Sequence, residues 1–178
     1  GNEFSYETLS SEAGIKKDTI RKYLEYLEAA FLIKVVNRID QNAKKMQRVT
    51  SMKIYLTNPT LRCALYTPIS ENDDACGEMV ETAIYDQWIL GEKTSFYYAN
   101  WNKGRDKGEV DIVWVDAATQ KAFSLAEIKW TDKFFDDPSQ LKSLRKFLAA
   151  NDGIRKIIVT TKSKRGKAIV DDNTFLFI

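Results

Sequence analysis

Gly108-Glu109-Val110-Asp111-Ile112-Val113-Trp114 and Leu125-Ala126-Glu127-Ile128-Lys129-Trp130 decide how this chain is read. Both are short apolar runs interrupted by charge, the pattern of half-buried strands. Side chains alternate along a strand, so Glu127 and Lys129 share one face while Ala126 and Ile128 turn to the other, into a core. Asp111 precedes Glu127 by 16 residues (127 − 111), a spacing that suits neighbouring strands of a hairpin. An acid on one strand, with an acid and a lysine two apart on the next, gathers two hard oxygen ligands and a cation. The competing reading is a set of solvated charges on an open sheet face.

Outward from this pair the pattern predicts three strands, at 95–101, 108–115 and 122–130, joined by polar turns at 102–107 and 116–121. A helix is expected before them at 75–90, with Met79, Ala83, Ile84 and Trp88 on its apolar side. After them, Asp137-Pro138 is expected to open one helix through Leu141, Leu144, Phe147 and Leu148. Strands at 155–161 and 174–178 complete the set. Glu109 and Asp132 read as exposed charges.

The first 66 residues have a different rhythm. A short helix at 8–14 stops at Gly14. Asp18 is the expected N-cap of a second helix reaching Phe31, with Ile20, Leu24, Leu27 and Phe31 at helical spacing. Strands at 32–39 and 53–56 flank a turn at 40–45, and Pro59 suits the first turn of a further short helix. Helix, glycine turn, helix and basic hairpin is the order of a winged helix-turn-helix. Lys16, Lys17, Thr19, Arg21 and Lys22 lie near the start of the second helix, and Lys44, Lys45 and Arg48 lie on or beside the wing. These are the candidate nucleic-acid contacts, placed to neutralise phosphates rather than read bases. Residues 1–57 carry ten Lys/Arg against seven Asp/Glu (+3), and the remainder 17 against 18 (−1), so the basic excess sits in this segment. Solvated lysines on a helix that also contacts protein would look the same.

Composition removes several chemistries. The chain of 178 residues has no histidine, which rules out His-based nucleophilic triads and His-ligated zinc within it. Its two cysteines, Cys63 and Cys76, do not make a zinc site or a disulfide framework. Catalysis would rest on carboxylates, lysines and a hard cation. No apolar run is long enough to cross a membrane and no signal sequence opens the chain, so a cytoplasmic location is expected.

Helix, three strands, helix and strand, with an acid on the second strand and an acid-x-lysine on the third, resembles the PD-(D/E)xK, or restriction-endonuclease-like, fold. In that family the first helix often supplies a further acid, and the resemblance assigns this to Glu81. Val110 stands where the family usually has proline, which weakens the motif. The whole chain resembles the C-terminal region of bacterial and archaeal AAA+-type ATPases that carry a winged helix and a nuclease-like domain of unknown function. The stretches 14–33, 77–83, 107–111 and 126–129 carry this likeness. It implies an α/β (α+β) chain divided at 66/67, with a winged helix at 1–66 and a nuclease-like mixed sheet flanked by helices at 67–178. It also implies an ATPase domain in the same protein, because no G-x-x-x-x-G-K-[ST] loop occurs here.

In this reading Asp111, Glu127 and the carbonyl of Ile128 hold Mg²⁺, Lys129 orients the attacking water or stabilises charge, and Glu81 assists. DNA is the expected partner, with self-association as a further expectation. Two function classes follow. One is a Mg²⁺-dependent nuclease. The other is an inactive nuclease-fold module for DNA binding, regulation or protein interaction, in which exposed Tyr97, Trp101 and Trp130 line an interface.

Overall fold

Capping decides where the first helices lie. The Ser5 hydroxyl accepts the Thr8 N–H at 3.0 Å and opens α1 (Tyr6–Ala13), and Gly14 closes it at φ 68°, a left-handed position that glycine adopts without strain. The second helix, α2 (Lys17–Ala29), starts earlier than expected: its N-cap is Lys16, and Asp18 lies inside the first turn, where its charge complements the helix dipole. It also ends before Phe31, which takes φ 56° and turns the chain into β2 (Ile33–Ile39). The computed structural model describes residues 2–43, 51–71, 73, 75–89 and 95–178, without the side chain of Ile89. Lys44, Lys45 and Arg48, expected on the wing, lie outside the described residues.

The chain is mixed α/β and divides into two compact units. The first holds the described residues of 1–37 and 48–92, the second those of 38–47 and 93–178. In the first, β3 (Met52–Leu56) pairs antiparallel with β2 on one side and with the short β1 (Glu3–Phe4) on the other. Asn58 caps α3 (Pro59–Leu65), with proline in its first turn as read from sequence. The helix α4 (Cys76–Ile89) packs against β3, stacking Tyr85 on Tyr55 with ring centroids 3.8 Å apart. It therefore groups with the first unit, whereas the sequence reading assigned it to the second domain.

In the second unit, the end of β2 pairs parallel with β4 (Phe96–Lys103), which forms an antiparallel hairpin with β5 (Asp106–Val115). The strands run further than expected and leave only Gly104 and Arg105 at the turn, with Gly104 at φ 64°. Then β6 (Ala122–Glu127) pairs antiparallel with β5 and parallel with β7 (Lys156–Val159). Next to β7 lies β9 (Asn173–Phe177), parallel to it and antiparallel to β8 (Gly166–Val170). The single helix expected from Asp137 is three pieces: α5 (Lys133–Asp136), a 3₁₀ turn at Pro138–Gln140, and α6 (Lys142–Ala150). Leu141 separates the last two at ψ 58°, outside the helical range.

Leu144, Phe147 and Leu148 of α6 pack with Val113, Leu125, Val159 and Phe175 in one core. Trp101 belongs to the same core at 4 % exposure, and Tyr97 packs against it half-buried, so neither is the exposed interface aromatic expected from sequence. The reason is Gly108, directly opposite Trp101 in the β4–β5 ladder: a Cβ there would overlap the six-membered ring of the indole. Gly108→Ala should therefore lower stability by about 1–3 kcal/mol through overpacking. Gly77→Ala, on α4 with open space around it, should raise it by up to about 1 kcal/mol. Urea midpoints of the two variants check the contrast.

Candidate active site

The β5–β6 register sets the site. Ile112 stands opposite Ala126 and Val113 opposite Leu125, so the same pairing carried one step further sets Asp111 opposite Glu127. Both acids thus continue the face on which Val113 and Leu125 meet the core. They are not solvated: Asp111 is 9 % exposed and Glu127 7 %. This burial argues against surface charges on an open sheet, since desolvating two adjacent carboxylates is costly unless something compensates them.

Lys129 is the compensating charge. Strand β6 ends at Glu127, yet the Lys129 ammonium reaches back to Glu127 Oε1 at 2.8 Å and stands 4.0 Å from Asp111 Oδ2. Its backbone is fixed by Thr160 at the end of β7: the Lys129 N–H donates to Thr160 Oγ1 at 2.9 Å, and that hydroxyl donates to the Lys129 carbonyl at 3.2 Å. The Phe134 ring, 5.9 Å from the ammonium, lines the other side. The Ile128 N–H donates to Asp111 Oδ2 at 2.8 Å, locking the first carboxylate across the strand pair.

Glu127 retains an orphaned oxygen. Its Oε2 is buried and has no hydrogen-bond partner. Burial, reinforced by the neighbouring Asp111 charge and only partly offset by Lys129, pushes its carboxyl up to about 8. A buried carboxylate with an unused oxygen, beside a second acid, is a donor set that suits a hard divalent cation. Among the described residues no cluster of three or more carboxylate or cysteine ligands forms. Two carboxylates match the habit of Mg²⁺, which keeps several of its waters.

Glu81 has other partners. It belongs to the first compact unit, where its Oε1 accepts the Tyr55 hydroxyl at 2.6 Å and lies 3.5 Å from the ammonium of Lys53. Burial alone would raise the Glu81 carboxyl, but Lys53 and the Tyr55 hydrogen bond hold it below its usual value. Lys53 is itself 2 % exposed, a buried cation that sequence patterning read only as a strand residue. The same burial, with the Tyr85 and Glu81 charges, drives the Tyr55 phenol well above its usual range. Asp111, Glu127, Ile128 and Lys129 are brought together in the second unit.

Asp132, expected from sequence to be an exposed charge, is half-buried in a network. It accepts the Ser163 N–H at 2.8 Å, the Ser163 hydroxyl at 2.5 Å and the Lys164 N–H at 3.0 Å. These bonds, the Ser163 hydroxyl first, hold its carboxyl down at about 2. Glu109 is also half-buried and accepts from the Asn100 amide at 3.2 Å.

At the N-cap of α2 Lys16 is exposed, as are Lys17, Arg21 and Lys22 on the helix, and Thr19 is half-buried. Lys17 pairs with Glu7 at 2.5 Å, and Arg21 pairs with Asp18 at 3.7 Å and lies 5.4 Å from the Tyr6 ring centroid. Tyr23, Tyr26 and Phe31, at 54, 67 and 76 % exposure, share this region with the cations.

Comparison with known proteins adds one finding. Residues 1–73 match the family model described as a domain of unknown function, DUF8612. No curated protein and no solved structure matches the chain. Among the described residues no helix is long and apolar enough to cross a membrane.

Proposed function

We propose that the second unit is a restriction-endonuclease-like module that hydrolyses phosphodiester bonds of DNA with a divalent cation. The observation that carries this reading is the buried Asp111–Glu127 pair, with Lys129 at 2.8 Å and a carboxylate oxygen of Glu127 left without a partner. A buried carboxylate oxygen without a partner is uncommon in an arrangement that only stabilises the fold. Asp111, Glu127 and the Ile128 carbonyl would hold Mg²⁺. When bound, that ion would polarise the scissile phosphate and acidify a water. Lys129 then serves as the cation beside the reacting phosphate, orienting the water or stabilising developing charge. Its backbone tie to Thr160 keeps it there at no ordering cost during reaction.

In the same proposal the first unit is a winged helix that contacts nucleic acid through the start of α2, and the chain is the C-terminal part of an AAA+-type ATPase. Helix, glycine turn, helix and antiparallel strand pair support the first of these. A second reading, in which the first unit contacts protein, draws on Tyr23, Tyr26 and Phe31 exposed near α2 while Lys17 and Arg21 are engaged locally.

Purified protein should cleave single- or double-stranded DNA in Mg²⁺ or Mn²⁺ and leave both intact in EDTA. Intact substrate under every metal condition would refute catalysis. DNA binding that weakens steeply with salt and with Lys16, Lys17 and Arg21 replaced would support the α2 contact, and salt-insensitive self-association or no DNA binding would favour the protein contact.

A further inference from the structure

We infer that Trp130 and Lys162 form a stacking platform for an unpaired nucleotide next to Lys129 in the chain, so that the substrate class is single-stranded DNA. The inference rests on the phosphodiesterase reading of the site and deepens it. Trp130 directly follows Lys129, so its Cα lies about 3.8 Å from that of the lysine. It is 38 % exposed, in contrast to Trp101 at 4 % and Trp114 at 6 %. The exposed Lys162 places its ammonium 5.9 Å from the indole centroid. An aromatic face with a cation beside it offers both halves of a nucleotide contact, a surface for the base and a charge for the phosphate.

The platform is held in place before any ligand arrives. Lys162 begins a basic loop, Lys162-Ser163-Lys164-Arg165, that leads into β8. Asp132 grips that loop through Ser163 and Lys164, and the Lys164 ammonium pairs with Asp136. Gly166 lies against the Phe135 ring, where an added Cβ would stand 3.1 Å from Cε2. The segment carrying Trp130 and the loop carrying Lys162 are therefore joined on both sides of Asp132. A base inside a duplex is already stacked and paired, so only an unpaired or frayed one can use Trp130 without an unpairing cost.

The test compares binding of a fluorescent oligothymidylate and of a blunt duplex of the same length, in EDTA so that nothing is cut. Wild type should prefer the single strand. Trp130→Ala should weaken single-strand binding by roughly tenfold and leave duplex binding unchanged, while Trp130→Phe should retain most of the affinity. Melting temperatures check that each variant folds. Equal single-strand binding by wild type and Trp130→Ala, a preference for duplex, or no binding of either DNA would overturn the inference. Cleavage is read separately: Trp130-dependent binding without metal-dependent cutting would refute the nuclease reading and leave the platform standing.

Discussion

Lys129→Met should reduce metal-dependent cleavage by on the order of a thousandfold, with the folded state retained. The side chain is 30 % exposed and its backbone bonds to Thr160 do not depend on it, so its loss removes charge rather than packing, and saturating Mg²⁺ would replace the charge that compensates Asp111 and Glu127. Single-turnover rates under saturating Mg²⁺ measure the chemical step, and circular dichroism with a urea titration measures the fold. An unchanged rate in the variant would remove Lys129 from the reaction. A comparable loss of rate and stability would make it a structural counter-ion. Lys129→Arg separates position from charge: the guanidinium keeps the charge but not the compact ammonium, and should recover little activity.

Glu127→Gln should stabilise the metal-free protein at alkaline pH, by on the order of a few kcal/mol, while ending its function. The carboxyl of Glu127 titrates near 8 in the folded chain, against an ordinary value of 4.5. Between those values the folded state holds a proton that the unfolded state has released. Stability of the wild type therefore falls as pH rises from about 4.5 to 8 and levels off above that range. Glutamine is neutral throughout and should lose that slope. Urea unfolding in EDTA at pH 5 and pH 8.5 makes the comparison, and equal pH slopes in the two proteins would contradict the burial account. Mg²⁺ should close the gap for wild type at pH 8.5, because a cation that binds the ionised pair stabilises the folded chain by mass action. Stability sacrificed at a site and recovered with ligand is the behaviour expected of a functional cluster.

The carboxylate site was legible because it depends on local rules. Asp111, Glu127 and Lys129 lie in or just beyond short strands, where alternation fixes the face and hairpin spacing fixes the partner. Their burial was not legible, since the core that their face continues is completed by Phe147, Phe175 and Val159, residues distant in sequence. Strand β8 escaped notice because Gly166–Val170 alternates only between half-buried and exposed, and its turn uses Asp171 and Asp172 at φ 49° and 60° in place of the usual Asn-Gly. The break at Leu141 follows no breaker residue, so the apolar periodicity read straight through it. Trp101 looked like an interface aromatic until its cross-strand neighbour proved to be Gly108, which leaves room for the ring to lie down. The Lys53–Glu81–Tyr55 group joins β3 to α4 and is visible only in three dimensions.

Manganese anomalous scattering from crystals grown with Mn²⁺ would locate the cation itself. A peak is expected bonded to carboxylate oxygens of both Asp111 and Glu127, with Glu127 Oε2 among the ligands, and no peak there in Glu127→Gln. Crystals saturated with Mn²⁺ that show no density between the two acids, with Lys129 still paired to Glu127, would contradict it.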